Sequence, residues 1–139
     1  MIKLVENQIT IEEYMYLRDK VNWKKLSINQ SESALKHSLF VVKAVDSNGD
    51  VIGMGRIVGD GAVICYIQDL IVIPEAQGKR VGSMLIDRLI EYVKSIKEEG
   101  TTMMLCLMCA KGREPFYEKH NFISRPTDSL GPGMIQYIC

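Results

Sequence analysis

The clearest hydrophobic pattern in the chain lies between Gly78 and Gly100. Apolar residues recur there every three or four positions, at Val81, Leu85, Leu89, Val93 and Ile96, and charged residues fill positions between them. A period near 3.6 residues places the apolar side chains on one face of a helix and the charged ones on the other. The pattern therefore predicts an amphipathic helix that ends at Gly100.

Apolar runs rich in β-branched residues predict the strands. They cover residues 2–6, 38–45, 51–58, 62–73 and 101–109, with two short final pieces at 122–123 and 134–138. Asn48-Gly49 and Gly59-Asp60-Gly61 lie between consecutive runs, so we expect antiparallel hairpins at both places. The long helix before the run at 101–109 favours a parallel crossover. A mixed, mostly antiparallel sheet follows.

Three further helices are predicted from start signals. Thr10 is an N-cap candidate with Glu13 at the capping-box position. A second, shorter helix follows Ser31 and ends near His37, and a third covers residues 111–120. Because no linker or internal repeat divides the sequence, we expect one domain over residues 1–139.

The charge balance limits the classes of partner. Lys plus Arg and Asp plus Glu both number 17, so the net charge is zero. Without a basic excess, we expect no nucleic-acid partner and no anionic membrane surface. The N-terminal residues lack the apolar region of a signal peptide, and no run of 18 apolar residues occurs, so we expect a cytoplasmic protein.

The four cysteines give a weak metal signal. Cys106 and Cys109 have the spacing of half a zinc site, with His37 and His120 as conceivable further ligands. In a strand, however, residues three apart point to opposite faces, and no second such pair exists. We therefore expect core cysteines, no disulfide and no bound metal.

Residues 66–83 lead from a buried strand through a glycine-bearing turn into the long helix. Backbone N–H groups at a helix N-terminus have no intrahelical acceptor, and the helix dipole adds about half a positive charge there. A phosphate can dock at such a site without a metal. The same glycines would suit a plain connection between strand and helix, so this turn needs support from other motifs.

Two motifs supply that support. An apolar strand followed by a phosphate turn is marked by Leu70, Val72, Pro74, Gln77 and Gly82, and an aromatic pair followed by Glu-Lys and a closing Phe spans residues 116–122. Together and in this order they resemble the GNAT superfamily of N-acetyltransferases, over nearly the whole chain. Arg80 replaces the family's central glycine, and Asn121 the glycine before the closing Phe. Both residues can serve if they adopt the required backbone conformation.

The resemblance implies an α/β (α+β) GNAT fold, with a mixed, mostly antiparallel sheet that splays between strands 4 and 5 and about four flanking helices. It also implies acetyl-CoA as the acyl donor. Matching the family's cofactor site are Leu70, Ile71 and Val72 for the pantetheine arm, and Gln77, Gly78, Lys79, Arg80, Val81, Gly82 and Ser83 for the pyrophosphate. A splayed sheet edge can accept an extended ligand through its main chain.

Acetyl transfer to an amine needs a neutral amine and a proton for the departing thiolate. Tyr117 matches the family's general acid, although a tyrosine in a short helix can simply pack. Asp69, which precedes the cofactor-pairing segment, is our candidate base, directly or through water. It can instead be a structural carboxylate or an anchor for the substrate ammonium, and a water chain can replace it.

The acceptor pocket is expected near the loop carrying Trp23, near Tyr66 and near residues 131–134. Trp23 can stack on a cation or pack against the sheet. We expect a small-molecule amine rather than a protein as acceptor, while dimerisation, which is common in the family, stays open.

The predicted function is acetyl-CoA-dependent N-acetylation of a primary amine by direct attack in a ternary complex. The alternative is a CoA-binding sensor or an inactive module with the same fold. A nucleotide-binding fold of Rossmann type is opposed by the hairpins over residues 38–73, because such folds alternate strands with helices.

Overall fold

The computed structural model describes residues 1–139 and contains five strands, four α-helices and one 3₁₀ helix. The elements are β1 (Lys3–Glu6), α1 (Ile11–Lys20), α2 (Ile28–Lys36), β2 (Phe40–Val45), β3 (Val51–Gly59), β4 (Ile64–Val72), η1 (Pro74–Ala76), α3 (Val81–Ile96), β5 (Met104–Leu107) and α4 (Glu114–Glu118). The chain divides into two units, Met1–Cys106 and Leu107–Cys139. One domain over residues 1–139 stays a prediction. Each helix is too short or too polar to span a membrane.

The strands form one sheet in chain order. The pairs β1/β2, β2/β3 and β3/β4 are antiparallel, and β5 joins β4 in parallel after the crossover through α3. At the first hairpin Gly49 has φ +82°, and the Asp46 carboxylate accepts hydrogen bonds from the backbone N–H groups of Asn48 and Asp50. The predicted mixed, mostly antiparallel sheet with four helices is confirmed.

A β-bulge interrupts β4 at Gln68. On β3, Arg56 lies opposite Asp69, whereas the next residue, Ile57, lies opposite Ile67. Gln68 therefore has no partner residue on β3. Such an extra residue bends its strand and increases the local twist.

The second half of β4 has a strand on one side only. β5 begins beside the start of β4, where the backbone N–H of Met104 donates to the carbonyl oxygen of Val63 at 3.0 Å. Since β5 has four residues and runs parallel to β4, it ends before it reaches residues 70–72. The outer edge of β4 is open at these residues.

Both α1 and α2 begin with a capping box. In α1, the Thr10 hydroxyl accepts from the Glu13 N–H and the Glu13 carboxylate accepts from the Thr10 N–H, each at 3.0 Å, as predicted. In α2, Ser27 and Gln30 form the same reciprocal pair. This helix therefore starts one turn earlier than predicted, and Ser31, which suggested the start, is buried inside it.

α3 packs on the sheet through its predicted apolar face. Its buried residues are Val81, Leu85, Ile86, Leu89 and Val93. The approach to β3 is close because Gly55 has no side chain, and a Cβ there would lie 2.7 Å from Cδ1 of Leu89. The helix ends at Ile96 and not at Gly100, because Lys97 has an extended backbone with φ −67° and ψ 130°.

The second unit, Leu107–Cys139, contains the last residue of β5, α4 and otherwise irregular structure. The predicted helix over 111–120 is limited to Glu114–Glu118. The strands predicted at 122–123 and 134–138 do not form, so that prediction is wrong. Apolar composition alone does not make a strand, because a strand also needs a neighbour for its backbone N–H and C=O groups.

Candidate functional site

The first backbone N–H groups of α3 have no acceptor within the helix. Residues 77–80 are exposed, and no side chain caps the helix at Arg80. Met84 makes the first intrahelical bond, from its N–H to the Arg80 carbonyl oxygen at 3.0 Å, so the N–H groups of Val81 and Gly82 precede it without an intrahelical acceptor. The first turn also has no acidic side chain to offset the dipole. This end of α3 can bind an anion.

Two residues in the left-handed region shape this turn. Gly78 has φ +81°, and Arg80 has φ +66° and ψ 15°. Glycine adopts this conformation readily, whereas for a residue with a Cβ it is unfavourable by about 1–2 kcal/mol. Arg80 thus does adopt the backbone conformation expected of a residue that replaces the motif glycine.

Gln77 fixes the turn to the end of β4. Its Nε2 donates to the carbonyl oxygen of Val72 at 3.2 Å, and its backbone N–H donates to that of Pro74 at 3.3 Å. The Lys20 ammonium lies 2.6 Å from Oε2 of Glu75, so the end of α1 contacts η1. The side chain of Gln77 is therefore used within the chain, and its contact with a pyrophosphate stays a prediction.

Leu70, Ile71 and Val72 form the last part of β4. Leu70 pairs with Gly55 and Val72 with Gly53 on β3. Their outer edge is the one that β5 does not reach, so its main-chain groups can pair with an extended ligand. Because β4 leads directly into the turn before α3, one ligand can place an extended arm and an anionic group on adjoining parts of the chain.

Asp69 is buried among three donors. Its Oδ2 accepts from the Tyr14 hydroxyl at 2.8 Å and from Nε of Arg56 at 2.6 Å, and its Oδ1 lies 3.5 Å from Nη1 of Arg18. Asp69 is 1% exposed and Arg56 is 6% exposed. A buried carboxylate requires such partners. These contacts favour the structural alternative, and the base role of Asp69 stays a prediction.

Sequence reasoning missed the partners of Asp69. Arg56 also donates to Oγ of Ser38 at 3.1 Å, which connects the carboxylate to the segment after α2. Burial and the charge of Asp69 raise the pKa of the Tyr14 hydroxyl, so Tyr14 is a proton donor at neutral pH. Arg56 and Asp69 stand inside apolar runs of two strands predicted to pair, and this signal could have indicated a buried ion pair.

A cavity of about 280 Å³ lies beside α1. It is lined by Met15, Arg18, Asp19, Trp23, Lys25 and Leu26. Trp23 is 39% exposed, and the guanidinium carbon of Arg18 lies 5.4 Å from its ring centroid. Of the residues predicted for the acceptor pocket, this cavity includes Trp23 but not Tyr66, which is half-buried on β4. Residues 131–134 belong to the second unit.

Tyr117 lies in α4 among aromatic rings of the second unit. The rings of Phe116 and Phe122 meet it edge-on, with centroids at 5.0 and 5.9 Å. Burial, with a smaller effect of Cys109, raises the pKa of its hydroxyl. Asn121 has φ +70°, the left-handed conformation expected at this position. Tyr117 is thus a neutral phenol at physiological pH and can donate a proton.

Comparison with known proteins connects these features to one family. Residues 36–124 match the acetyltransferase (GNAT) domain. The chain is 27% identical over 126 residues to an uncharacterized N-acetyltransferase, ycf52, of Pyropia yezoensis, covering 88% of this chain and 70% of that protein. A probable acetyltransferase from meticillin-resistant Staphylococcus aureus superposes with a TM-score of 0.85 and 30% identity, over 99% of this chain and 100% of that one. A GNAT family acetyltransferase of Streptococcus pneumoniae superposes with a TM-score of 0.83 and 28% identity, over 99% of this chain and 98% of that one.

Proposed function

Because this chain belongs to the GNAT family of acetyltransferases, we propose that it is an N-acetyltransferase. It transfers the acetyl group from the thioester of acetyl-CoA to a primary amine, which attacks directly while both substrates are bound. The uncapped N-terminus of α3 is the observation that carries the proposal. Its free N–H groups and uncompensated dipole suit the pyrophosphate of CoA.

The open edge of β4 supports the binding of the pantetheine arm. The main-chain groups of Leu70, Ile71 and Val72 on that edge can hold the arm as an added strand. A backbone N–H near Ile71 can also donate to the thioester carbonyl oxygen. This oxygen gains negative charge when the amine attacks, so a fixed donor there lowers the barrier.

Proton transfer completes the reaction. The amine nitrogen bonds to the carbonyl carbon, the carbon–sulfur bond breaks, and the departing thiolate takes the proton of the Tyr117 hydroxyl. The raised pKa of Tyr117 keeps this proton in place at neutral pH. Since Asp69 already accepts hydrogen bonds from Tyr14 and Arg56, the excess proton of the amine leaves through water, and water returns a proton to the Tyr117 phenolate.

Calorimetric titration with acetyl-CoA, desulfo-CoA and ATP tests the donor, and a thiol-release assay with a panel of amines tests the transfer. We expect both CoA ligands to bind tightly, ATP not to bind, and at least one amine to release CoA. Absence of CoA binding would overturn the proposal. Binding without thiol release from a broad panel would favour the sensor, a role with which the fully engaged Asp69 is consistent.

Tyr117→Phe removes the acidic proton and keeps the ring. We expect turnover at saturating substrate to fall about 100-fold, since general acid catalysis is typically worth 10²–10⁴-fold, while acetyl-CoA affinity stays nearly intact. Tyr137→Phe, at an exposed tyrosine, is the matched control and should change neither quantity. Unchanged turnover in Tyr117→Phe would remove this residue from the mechanism.

A further inference from the structure

The cavity beside α1 carries an excess of positive charge. Its lining includes Arg18 and Lys25 but one acidic side chain, Asp19. Arg18 shares the carboxylate of Asp69 with Arg56, and Arg56 is the closer of the two, at 2.6 Å against 3.5 Å. One carboxylate cannot neutralise two guanidinium groups, so a positive charge remains at Arg18, the arginine that lines the cavity.

The hydrogen-bond donors of Arg18 are only partly used. Nη2 donates to the carbonyl oxygen of Lys24 at 2.9 Å, whereas Nε is buried and has no acceptor. The guanidinium lies near the rings of Tyr14 and Trp23, at 5.7 and 5.4 Å from their centroids. The Arg18 side chain lines the cavity and is 14% exposed, so an acceptor group on a ligand can reach it there, although not at Nε.

We infer that this cavity binds a carboxylate group of the acceptor, so that the amine acetylated by this protein is a small molecule that also carries a carboxylate. The inference rests on the proposed function. A planar guanidinium matches the two oxygens of a carboxylate, and charge-assisted bonds of this kind are strong. Trp23, Met15 and Leu26 give the carbon skeleton an apolar wall, and Asp19 offers a partner for the ammonium group before it loses its proton.

The position and size of the cavity agree with this role. Lys20, next to Asp19 on α1, contacts Glu75 of η1, so this end of α1 lies beside the turn that leads to the proposed phosphate site. About 280 Å³ is at the small end of ligand pockets and suits a compact molecule.

Matched acceptors test the inference. Thiol release is measured with leucine, leucinamide and 3-methylbutylamine, which share a skeleton and differ in the carboxylate, and with equivalent sets for the other amino-acid side chains. For at least one skeleton we expect kcat/KM to be at least tenfold higher for the acid than for its neutral analogues. Equal or better use of the neutral amines throughout would overturn the inference. O-Phosphoethanolamine and β-alanine carry a phosphate and a carboxylate, respectively, at a similar distance from the amine. Preference for the phosphate compound, with no preference for the acid in the other sets, would overturn the choice of carboxylate.

Variants connect the preference to the cavity. Arg18→Gln should lower the ratio of acid to amide kcat/KM at least tenfold, and Lys25→Gln about threefold. Lys36→Gln removes one positive charge at an exposed position on α2 and should leave the ratio unchanged. Lys25 makes no hydrogen bond with Asp69, whose donors are Tyr14, Arg18 and Arg56. If Arg18→Gln does not fold, Lys25→Gln alone tests the inference. An unchanged ratio in both cavity variants would overturn the inference.

Trp23 is the only tryptophan, so its fluorescence reports on the cavity without catalysis. Titration with N-acetylleucine should change this fluorescence, whereas N-acetyl-3-methylbutylamine should not, and Arg18→Gln should abolish the response. If amines are acetylated but neither the acid preference nor the response appears, the inference fails and the proposed function stands. If no amine is acetylated and the response appears, the proposed function fails while the carboxylate site stands.

Discussion

The N-termini of α1 and α2 differ from that of α3 in how their backbone N–H groups are satisfied. Thr10 with Glu13 and Ser27 with Gln30 supply side-chain oxygens to the first two helices. α3 has no such cap, and Arg80 stands before it in a left-handed conformation. A cap stabilises a helix by about 1 kcal/mol. α3 is stable without one because its buried apolar face packs on the sheet. The helix that forgoes this stabilisation is the one whose N-terminus suits a ligand.

The turn after β3 shows what an anion gains from such N–H groups. Oδ1 of Asp60 accepts hydrogen bonds from the backbone N–H groups of Ala62, Val63 and Ile64, at 2.8, 2.8 and 3.0 Å. These bonds lower the pKa of the Asp60 carboxyl. Here the anion belongs to the chain itself. At α3 the equivalent group has to come from a bound molecule.

Of the changes at these turns and helix termini, Gly82→Asp should give the largest effect, because it places in α3 the kind of acidic residue that α1 has in its first turn. We expect acetyl-CoA affinity to fall at least tenfold, or about 1.4 kcal/mol, since the carboxylate repels the pyrophosphate. The free energy of unfolding should stay equal or rise. An acidic side chain near a helix N-terminus interacts favourably with the helix dipole, by about 0.3–1 kcal/mol, and the glycine that it replaces destabilises a helix. Calorimetric titration measures the affinity, and thermal unfolding measures the stability. With Gly82→Ala as the uncharged control, equal affinity in the Asp variant would refute the phosphate placement.

Thr10→Ala should have the opposite pattern. Loss of the capping box lowers the free energy of unfolding by about 1 kcal/mol, which lowers Tm by about 2–4 °C. Acetyl-CoA affinity should not change, because the cap of α1 serves the helix alone. Thr10→Ser retains the hydroxyl and is the control. A parallel loss of affinity would show that the two kinds of N-terminus are not independent.

Arg80→Gly and Arg80→Ala separate conformation from charge at the start of α3. Glycine relieves the left-handed strain and should raise the free energy of unfolding by up to about 1 kcal/mol, whereas alanine retains the strain. Both remove the guanidinium, so both should weaken acetyl-CoA binding slightly, more at low salt than at high salt. Equal stability of the two variants in chemical denaturation would contradict the account of strain.

Asp60→Asn should produce the smallest change, confined to acid. Because the pKa of Asp60 is lowered in the folded protein, its contribution to stability is present above the ordinary carboxyl pKa and is lost as the pH falls through the lowered value. The asparagine variant should therefore lose less stability than the parent between about pH 5 and pH 2. Urea midpoints across this range measure the difference, and identical pH profiles would contradict the assignment.

Local signals predicted the parts of the fold whose causes are local. The capping box at Thr10, the hairpin at Asn48-Gly49 and the apolar period of α3 each depend on residues a few positions apart. The predicted start of α2 is too late although a local signal marks the true one, because Ser27 has Gln30 at its capping-box position and Ser31 has Ala34 there. The strand predicted at 134–138 failed because strand formation requires a neighbour that apolar composition does not specify.

The candidate site divides in the same way. The turn from Gln77 to Gly82 follows from a short motif, so the sequence located it. The partners of Asp69 come from α1 and β3, and Tyr14 is 55 positions away in the chain. The cavity at Arg18 likewise depends on how α1 and the following loop pack, so the sequence predicts only Trp23 among its six lining residues.

Gly55 has a consequence for how this protein tolerates mutation. Leu89, the residue that occupies the space above it, lies about 12 Å along the axis of α3 from Val81, at 1.5 Å per residue. A helix shifts as a stiff body, so any side chain at position 55 that lifts Leu89 would also displace the turn where the phosphate is proposed to bind. A substitution at Gly55 would then weaken ligand binding at the turn although Gly55 is not part of it.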